Sequence, residues 1–393
     1  MKKINAGIIG CGNISDLYFY NLTQRYQQIN IISCADMLPE RAQASAEKYG
    51  LKACSVEDML GDSGIEMVIN LTIPSAHVAI NMAALRAGKH VYTEKPFALN
   101  LQDAKATIDL AEEKGLLVGC APDTFLGAGL QTSRQVLDGG WIGLPVAGVI
   151  NYVAPGHELW HPQPEFYYQA GGGPMMDMGP YYVTAFVSLL GPIKKISCFA
   201  KRTRNKRYIS STPQFGKEMN VDVLTHYSGV MEFENGTIVS INMSFDVWLA
   251  NLPGLELYGT EGTMTLPDPD FYDGPVKVMR GESIVDAVAG KPTQEAFDIA
   301  MSGVFHDFMK EMPIVYNAPG EKIRGMGAAD LASAIMNNRK PRISHEMIYH
   351  VTEALLAFET ASTQNTVYQM TSTCERPEPL PLGLQKWAIE PLP

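Results

Sequence analysis

Short apolar runs alternate with helix-like stretches over the first 124 residues. The runs at 4–9, 29–35, 67–72, 90–93 and 116–120 are apolar almost throughout. That pattern fits strands covered on both faces, as in a parallel sheet. The stretches between them, 14–26, 39–48, 75–87 and 101–114, carry helix signals. Pro39 suits a first turn, Ser75 is a candidate cap, and Gly88 suits a C-terminal end. The expectation is a doubly wound α/β domain over 1–124.

The pattern changes after Asp123. Strand-like runs at 146–153, 193–200, 221–233, 237–245, 255–258 and 276–279 follow with few helices between them. Asn235-Gly236 between two of these runs predicts a hairpin. A second, α+β domain over 125–374 is expected, with a large, open, mostly antiparallel sheet. Three late helices are expected at 296–311, 323–337 and 346–360. A Pro-rich tail, 375–393, reads as irregular chain wrapping the surface. No solenoid-type repeat is present.

The chain has 393 residues, 46% hydrophobic and 19% charged, with net charge −11. This is globular composition, and its acidity argues against nucleic-acid binding. The longest apolar stretch falls far short of the roughly 20 residues that span a bilayer. The start breaks too early into Gly12, Asn13 and Asp16 to read as a secretion signal. Six scattered cysteines without a CxxC pair fit reduced thiols in the cytoplasm. The basic run Lys201, Arg202, Arg204, Lys206, Arg207 reads first as a solvated loop, with assembly or an anionic ligand as the alternative.

Gly10-Cys11-Gly12-Asn13-Ile14-Ser15 closes the first strand and opens a helix. This is GxGxxG with Ser in the last place, where a small residue suffices. Gly10, Gly12, Asn13 and Ile14 are the candidate pyrophosphate loop. Asp36 ends the second strand, 21 residues beyond Ser15. A carboxylate there suits the ribose hydroxyls of NAD and repels the 2′-phosphate of NADP. NAD is therefore the expected cofactor, ahead of NADP. Ligands of such sheets bind at the carboxyl edge. That logic adds Thr72, Pro74, His77, Glu94 and Lys95 as cofactor neighbours, although His77 reads more readily as a packing residue.

Thr93-Glu94-Lys95-Pro96 delivers a lysine just past a strand. Gly171-Gly172-Gly173-Pro174-Met175-Met176-Asp177-Met178-Gly179-Pro180-Tyr181 is a specialised loop in which Asp177 and Tyr181 share a face if it is helical. Between them in the sequence, residues 152–168 hold Tyr152, His157, Trp160, His161, Phe166, Tyr167 and Tyr168. Aromatic faces with polar edges suit sugars. His157 and His161 stand four apart, but no third metal ligand accompanies them, and no metal is expected.

Taken together, GCGNIS, TIPSAHV, ALRAGKHVYTEKP, GGGPMMDMGPYY and YHVTEALLAF resemble the Gfo/Idh/MocA family of oxidoreductases across most of the chain. The resemblance implies an N-terminal Rossmann domain and a C-terminal domain whose open sheet often forms oligomer contacts. It implies that Lys95 contacts the reacting hydroxyl and the nicotinamide ribose, and that Asp177 is the family's aspartate. Tyr181 stands where many members have a catalytic histidine, which leaves the general base open. The catalytic candidates are Lys95, Asp177 and Tyr181, with Lys95 expected to lower the Tyr181 pKa. Asp123, His157, Trp160 and Tyr168 join them as substrate-binding candidates. The expected activity is NAD-dependent oxidation of a secondary hydroxyl of a sugar, glycoside or cyclitol, with C3 of a hexose unit as one option. NAD-recycling glycoside cleavage and a non-catalytic NAD- and sugar-binding regulator are the alternatives. The expected partners are a carbohydrate and further copies of the chain, without nucleic acid or membrane.

Overall fold

A computed structural model describes residues 3–301, 308–316 and 323–391. The chain opens with β1 (Ile4–Ile9), α1 (Ser15–Gln24), β2 (Ile29–Ala35), α2 (Pro39–Tyr49), β3 (Lys52–Ala53) and α3 (Val56–Gly61). It continues with β4 (Met67–Asn70), α4 (Pro74–Arg86), β5 (His90–Thr93), α5 (Leu101–Glu113) and β6 (Val118–Cys120). These strands form one parallel sheet in the order β3-β2-β1-β4-β5-β6. The order reverses between β1 and β4, which opens a crevice at their carboxyl ends. The apolar runs are buried as their composition requires: Ile4, Ala6, Ile8, Met67, Val68 and Ile69 have no exposed surface. The cap of α4 differs from expectation. Pro74 is the first helical residue after Ile73, and Ser75 caps nothing.

The second half begins with α6 (Ala128–Asp138), β7 (Pro145–Val153), α7 (Gly173–Asp177) and α8 (Gly179–Leu190). Strands β8 (Ile193–Lys201), β9 (Lys206–Tyr208), β10 (Glu218–Asn220), β11 (His226–Phe233) and β12 (Ile238–Ser244) follow. Then come β13 (Leu255–Gly259), β14 (Gly262–Thr265), β15 (Lys277–Arg280), α9 (Gly281–Val288), α10 (Thr293–Met301) and β16 (Lys310–Glu311). The last elements are α11 (Met326–Asn337), α12 (His345–Gln364) and β17 (Tyr368–Gln369). Nine strands make a mixed sheet, β16-β15-β14-β13-β7-β12-β11-β8-β17, antiparallel except where β12 runs parallel to β7. The Asn235-Gly236 hairpin joins β11 to β12, with Gly236 at φ +86°.

Several expectations need correction. The run at 221–233 is strand only from His226, because Asp222 turns back to the Tyr168 carbonyl. Part of the basic run is β9, paired with β10. The helix expected at 296–311 is α10. Residues 302–307 lie outside the described residues, and Lys310–Glu311 is strand. Every residue of α8 is buried, as a helix apolar on all sides must be. The long α12 packs on β8 of one sheet and on α5 and β6 of the other, joining the halves. Among the described residues no helix is long and apolar enough to cross a membrane.

Asp123 sits where the chain leaves the parallel sheet. It has no exposed surface. Its carboxylate accepts the Tyr272 hydroxyl and the backbone N–H groups of Gly325 (3.0 Å) and Gly327 (2.8 Å). This corrects its expected role: Asp123 is committed to pinning the start of α11 and has no substrate to meet. Asp123→Ala strands three buried donors, so it lowers the unfolding free energy by about 3 kcal/mol. Urea denaturation reads this directly, and a loss below about 1 kcal/mol would contradict the assignment.

Candidate functional site

The dinucleotide edge follows from two glycines. Gly10 adopts φ +103°, and a Cβ there would stand 2.6 Å from the Leu71 carbonyl carbon. The turn closes so tightly on the end of β4 that only glycine fits. A Cβ on Gly12 would meet no protein atom within 4 Å, so its backbone faces open space. Behind it, Ser15 bonds back to the Gly12 carbonyl at 2.6 Å, and no side chain caps α1. The Ser15 N–H also turns back to Gly12, at 3.1 Å, and the positive dipole end of α1 faces an anion without a side-chain cap in the way. Asn13 is exposed at the tip, while Ile14 anchors the turn in the core. Asp36 accepts the Cys11 N–H at 2.7 Å and the Leu38 N–H at 2.9 Å, which sets its carboxylate beside the turn. Open glycine backbone, an uncapped helix and a carboxylate at the second strand fit the pyrophosphate and ribose of a nicotinamide dinucleotide.

Further along the edge, Asn70 holds Thr72 through its hydroxyl at 2.6 Å. His77 is wholly buried, with Nδ1 2.8 Å from the Pro96 carbonyl and Nε2 3.0 Å from the Thr72 carbonyl. Burial pushes its pKa down. Both ring nitrogens face backbone carbonyls, of which the neutral ring donates to one, and this corrects its expected contact with the cofactor: His77 packs between the Thr72 loop and the loop that follows Lys95. Pro74 starts α4 close to Gly171 of the other half.

Glu94 is buried and accepts the Tyr18 hydroxyl at 2.8 Å and the Lys95 N–H at 3.0 Å, so β5 ends in a fixed geometry. The Lys95 ammonium donates to the Asp177 backbone carbonyl at 2.6 Å and to its carboxylate at 2.8 Å. The pair is largely shielded, with side chains 16% and 14% exposed. The other Asp177 oxygen lies 3.3 Å from His157 Nε2. His157 Nδ1 is buried and has no partner among the described residues. Burial opposes both charges of the ion pair, yet each partner stabilises the other. Lys95 is held above its ordinary pKa, and Asp177 falls to about 2.

Tyr181 lies beneath two cations. Lys95 Nζ is 5.1 Å and the Arg324 guanidinium 5.5 Å from its ring centroid. Burial is the larger influence and raises the phenol to about 12, although both cations pull it down. The expected lowering by Lys95 is present but outweighed. Asp177 and Tyr181 also do not share one continuous helix: Asp177 ends α7, Tyr181 lies in the first turn of α8, and Met178 forms the joint.

The site therefore brings Lys95, Asp177, Tyr181 and His157 together. Trp160 is near, its ring 5.2 Å from that of His157, but 62% exposed. Tyr168 is not part of the cavity surface. It is wholly buried, donates to Glu158 and lies under Arg207, which corrects its expected substrate contact. Tyr167 lies beside His157 instead, the two rings tilted with centroids 4.0 Å apart. Arg324 and its partner Asp270, 3.1 Å apart, went unnoticed in the sequence. They lie outside any motif, and only folding brings them to Tyr181. One Arg324 nitrogen is buried without a partner among the described residues.

At the carboxyl edge of the Rossmann sheet, Lys95 of the first half thus meets Asp177 of the second, open-sheet half. Residues 4–121 match the oxidoreductase family with an NAD-binding Rossmann fold, and residues 130–265 match the GFO/IDH/MocA C-terminal domain. The chain belongs to the Gfo/Idh/MocA family. It is 29% identical over 242 residues to 1,5-anhydro-D-fructose reductase of Ensifer adhaerens, covering 60% of this chain and 67% of the relative. It is 29% identical over 147 residues to inositol 2-dehydrogenase of Salmonella paratyphi B, covering 36% of this chain and 44% of the relative. The match thus spans less than half of that second enzyme. In fold it resembles levoglucosan dehydrogenase in complex with NADH, with TM-score 0.75 and 19% identity over 94% of this chain and 100% of that one.

Asp177 links the site to acid stability. Its carboxyl is depressed from 3.8 to about 2, so it stabilises the folded state above about pH 4 and ceases to do so as pH falls towards 2. Asp177→Asn should flatten unfolding free energy against pH in that window. An unchanged acid limb would contradict the ionised pair.

Proposed function

We propose that the chain oxidises a secondary hydroxyl of a sugar, glycoside or cyclitol, with NAD as hydride acceptor and C3 of a hexose unit as the reacting position. The observation that carries this reading is the buried contact between Lys95, at the carboxyl edge of the parallel sheet, and Asp177 with His157 from the second half. When bound, NAD would supply the hydride acceptor. Gly10, Gly12, Asn13 and Ile14 would receive the pyrophosphate and Asp36 the adenosine ribose, with Thr72, Pro74, Glu94 and Lys95 along the nicotinamide side. The Asp36 carboxylate disfavours a 2′-phosphate, which supports NAD over NADP.

The proton path follows from the charges. An ammonium has three N–H bonds, and Lys95 spends two on Asp177. The third is left for the reacting oxygen and stabilises its negative charge as it develops. Lys95 stays charged and Asp177 stays ionised, so neither accepts the proton. A phenol raised to about 12 stays protonated and serves as a donor, which assigns Tyr181 the role of orienting the substrate oxygen. His157 is the remaining acceptor: with its Nε2–H turned to the other Asp177 oxygen, its unpartnered Nδ1 is the nitrogen left to take the proton.

The outer face of the nine-stranded sheet supports the homo-oligomer reading. Exposed Phe199, Val230 and Ile238 share that face across β8, β11 and β12. Sedimentation velocity should give at least a dimer, and Phe199→Glu should shift it towards monomer. A monomeric parent chain would refute this pairing.

Turnover is tested with purified protein, NAD or NADP, and a panel of sugars, cyclitols and glycosides, following absorbance of the reduced cofactor and the keto product by NMR. Lys95→Ala should abolish hydride transfer, and Tyr181→Phe should slow it by about 10²-fold. His157→Gln should slow it by a comparable factor. Near-normal turnover by Lys95→Ala would defeat the reading, and near-normal turnover by His157→Gln would remove His157 as the base.

A further inference from the structure

We propose that the aromatic strip running outward from His157 is a subsite for a second ring, so that the substrate is a glycoside or oligosaccharide in preference to a free monosaccharide. The inference rests on the sugar-oxidising reading above and names its substrate class. His157 and Tyr167 have ring centroids 4.0 Å apart, Tyr167 and Phe166 4.0 Å, Phe166 and His161 5.5 Å, and His161 and Trp160 5.3 Å. The strip begins on the Asp177 carboxylate through His157, which is 5% exposed. Its outer rings, Phe166 at 50% and Trp160 at 62% exposure, face water, and Trp160 closes back on His157 with ring centroids 5.2 Å apart. Contiguous exposed aromatic surface of this kind marks a binding surface. Its continuity with the site identifies the occupant as another part of the substrate.

The strip is also held in advance of any ligand. The Glu158 carboxylate beneath it accepts from Arg207 and Tyr168, and Arg207 bonds Asp246 as well. The Glu158 carbonyl accepts the Ser210 and Ser211 N–H groups at 2.9 and 3.2 Å. Gln214 reaches the Pro162 carbonyl at 3.1 Å, and Lys217 pairs with Glu165 at 2.7 Å. The loop therefore keeps its exposed rings in register at little ordering cost on binding. Phe166 and Trp160 contribute little to the core, so the folding of the loop does not account for their placement. The exposed ring faces of Phe166 and Trp160 match the apolar C–H faces of a pyranose. Glu165 is already neutralised by Lys217, which suits an uncharged ring.

The test compares matched pairs: D-glucose with phenyl β-D-glucopyranoside and cellobiose, and D-galactose with its phenyl glycoside and lactose. In at least one pair the glycoside should exceed the free sugar at least tenfold in kcat/KM. Phe166→Ala should reduce that preference at least tenfold. Tryptophan emission, with Trp160 as reporter, should be quenched by the glycoside at lower concentration than by the sugar. This readout does not need turnover, so it stands even if no cofactor is reduced and the oxidation reading fails. Equal kcat/KM and equal quenching within every pair would overturn the subsite. So would an equal loss for both partners in Phe166→Ala, or a change in sedimentation coefficient in that variant showing that a second copy covers the rings.

Discussion

The ion pair of Lys95 with Asp177 is the contact on which the rest of the site depends. It joins the end of β5 to the end of α7, residues 82 apart in sequence and in different halves of the molecule. Removing both charges from water costs several kcal/mol each, and their attraction offsets this only if the remaining donors and acceptors are satisfied. They are nearly so. Lys95 bonds the Asp177 carbonyl as well as its carboxylate, and His157 faces the second oxygen. The ammonium donor left over points the chemistry outward. The pair thus fixes where the two halves meet.

The surrounding structure can be understood as the means of holding that pair in place. Glu94 is fixed by Tyr18 and in turn fixes the Lys95 backbone. His77 binds the carbonyl of Pro96, the residue after the lysine. On the other side, a Cβ on Gly172 would stand 2.4 Å from the Tyr167 carbonyl. Glycine there lets the aromatic loop pack on the start of α7, which carries Asp177. Asp123 and α12 act at longer range by locking the chain crossing between the two sheets. Mutations at these positions should act on the site through distance, since none of them offers a free group to a ligand.

Much of this was legible in the sequence, and the remainder has a common physical cause. The parallel strands could be read because both of their faces are buried, which leaves continuous apolar runs. The glycine turn, Asp36 and Lys95 could be read because each belongs to a local motif tied to a strand end. Asp123, His77 and Tyr168 have the right chemistry near the right motifs, but folding has used up their polar atoms. Sequence shows which residue types are available and not which hydrogen bonds they have already made. Arg324 and Asp270 show the opposite failure, since nothing local distinguishes them and only the tertiary path brings them to Tyr181.

The Tyr181 environment shows how magnitudes decide between opposing effects. Two cations within 5.5 Å of one ring suggest an acidic phenol. They lie near the ring centroid, however, where they meet the electron-rich π face, and the side chain is almost wholly buried. Ionising it would place a negative charge in a region with little water, and that cost exceeds what the cations return. A phenol so placed donates a hydrogen bond well and accepts a proton poorly. An imidazole from the 157 loop lies on the same Asp177 carboxylate that anchors the lysine.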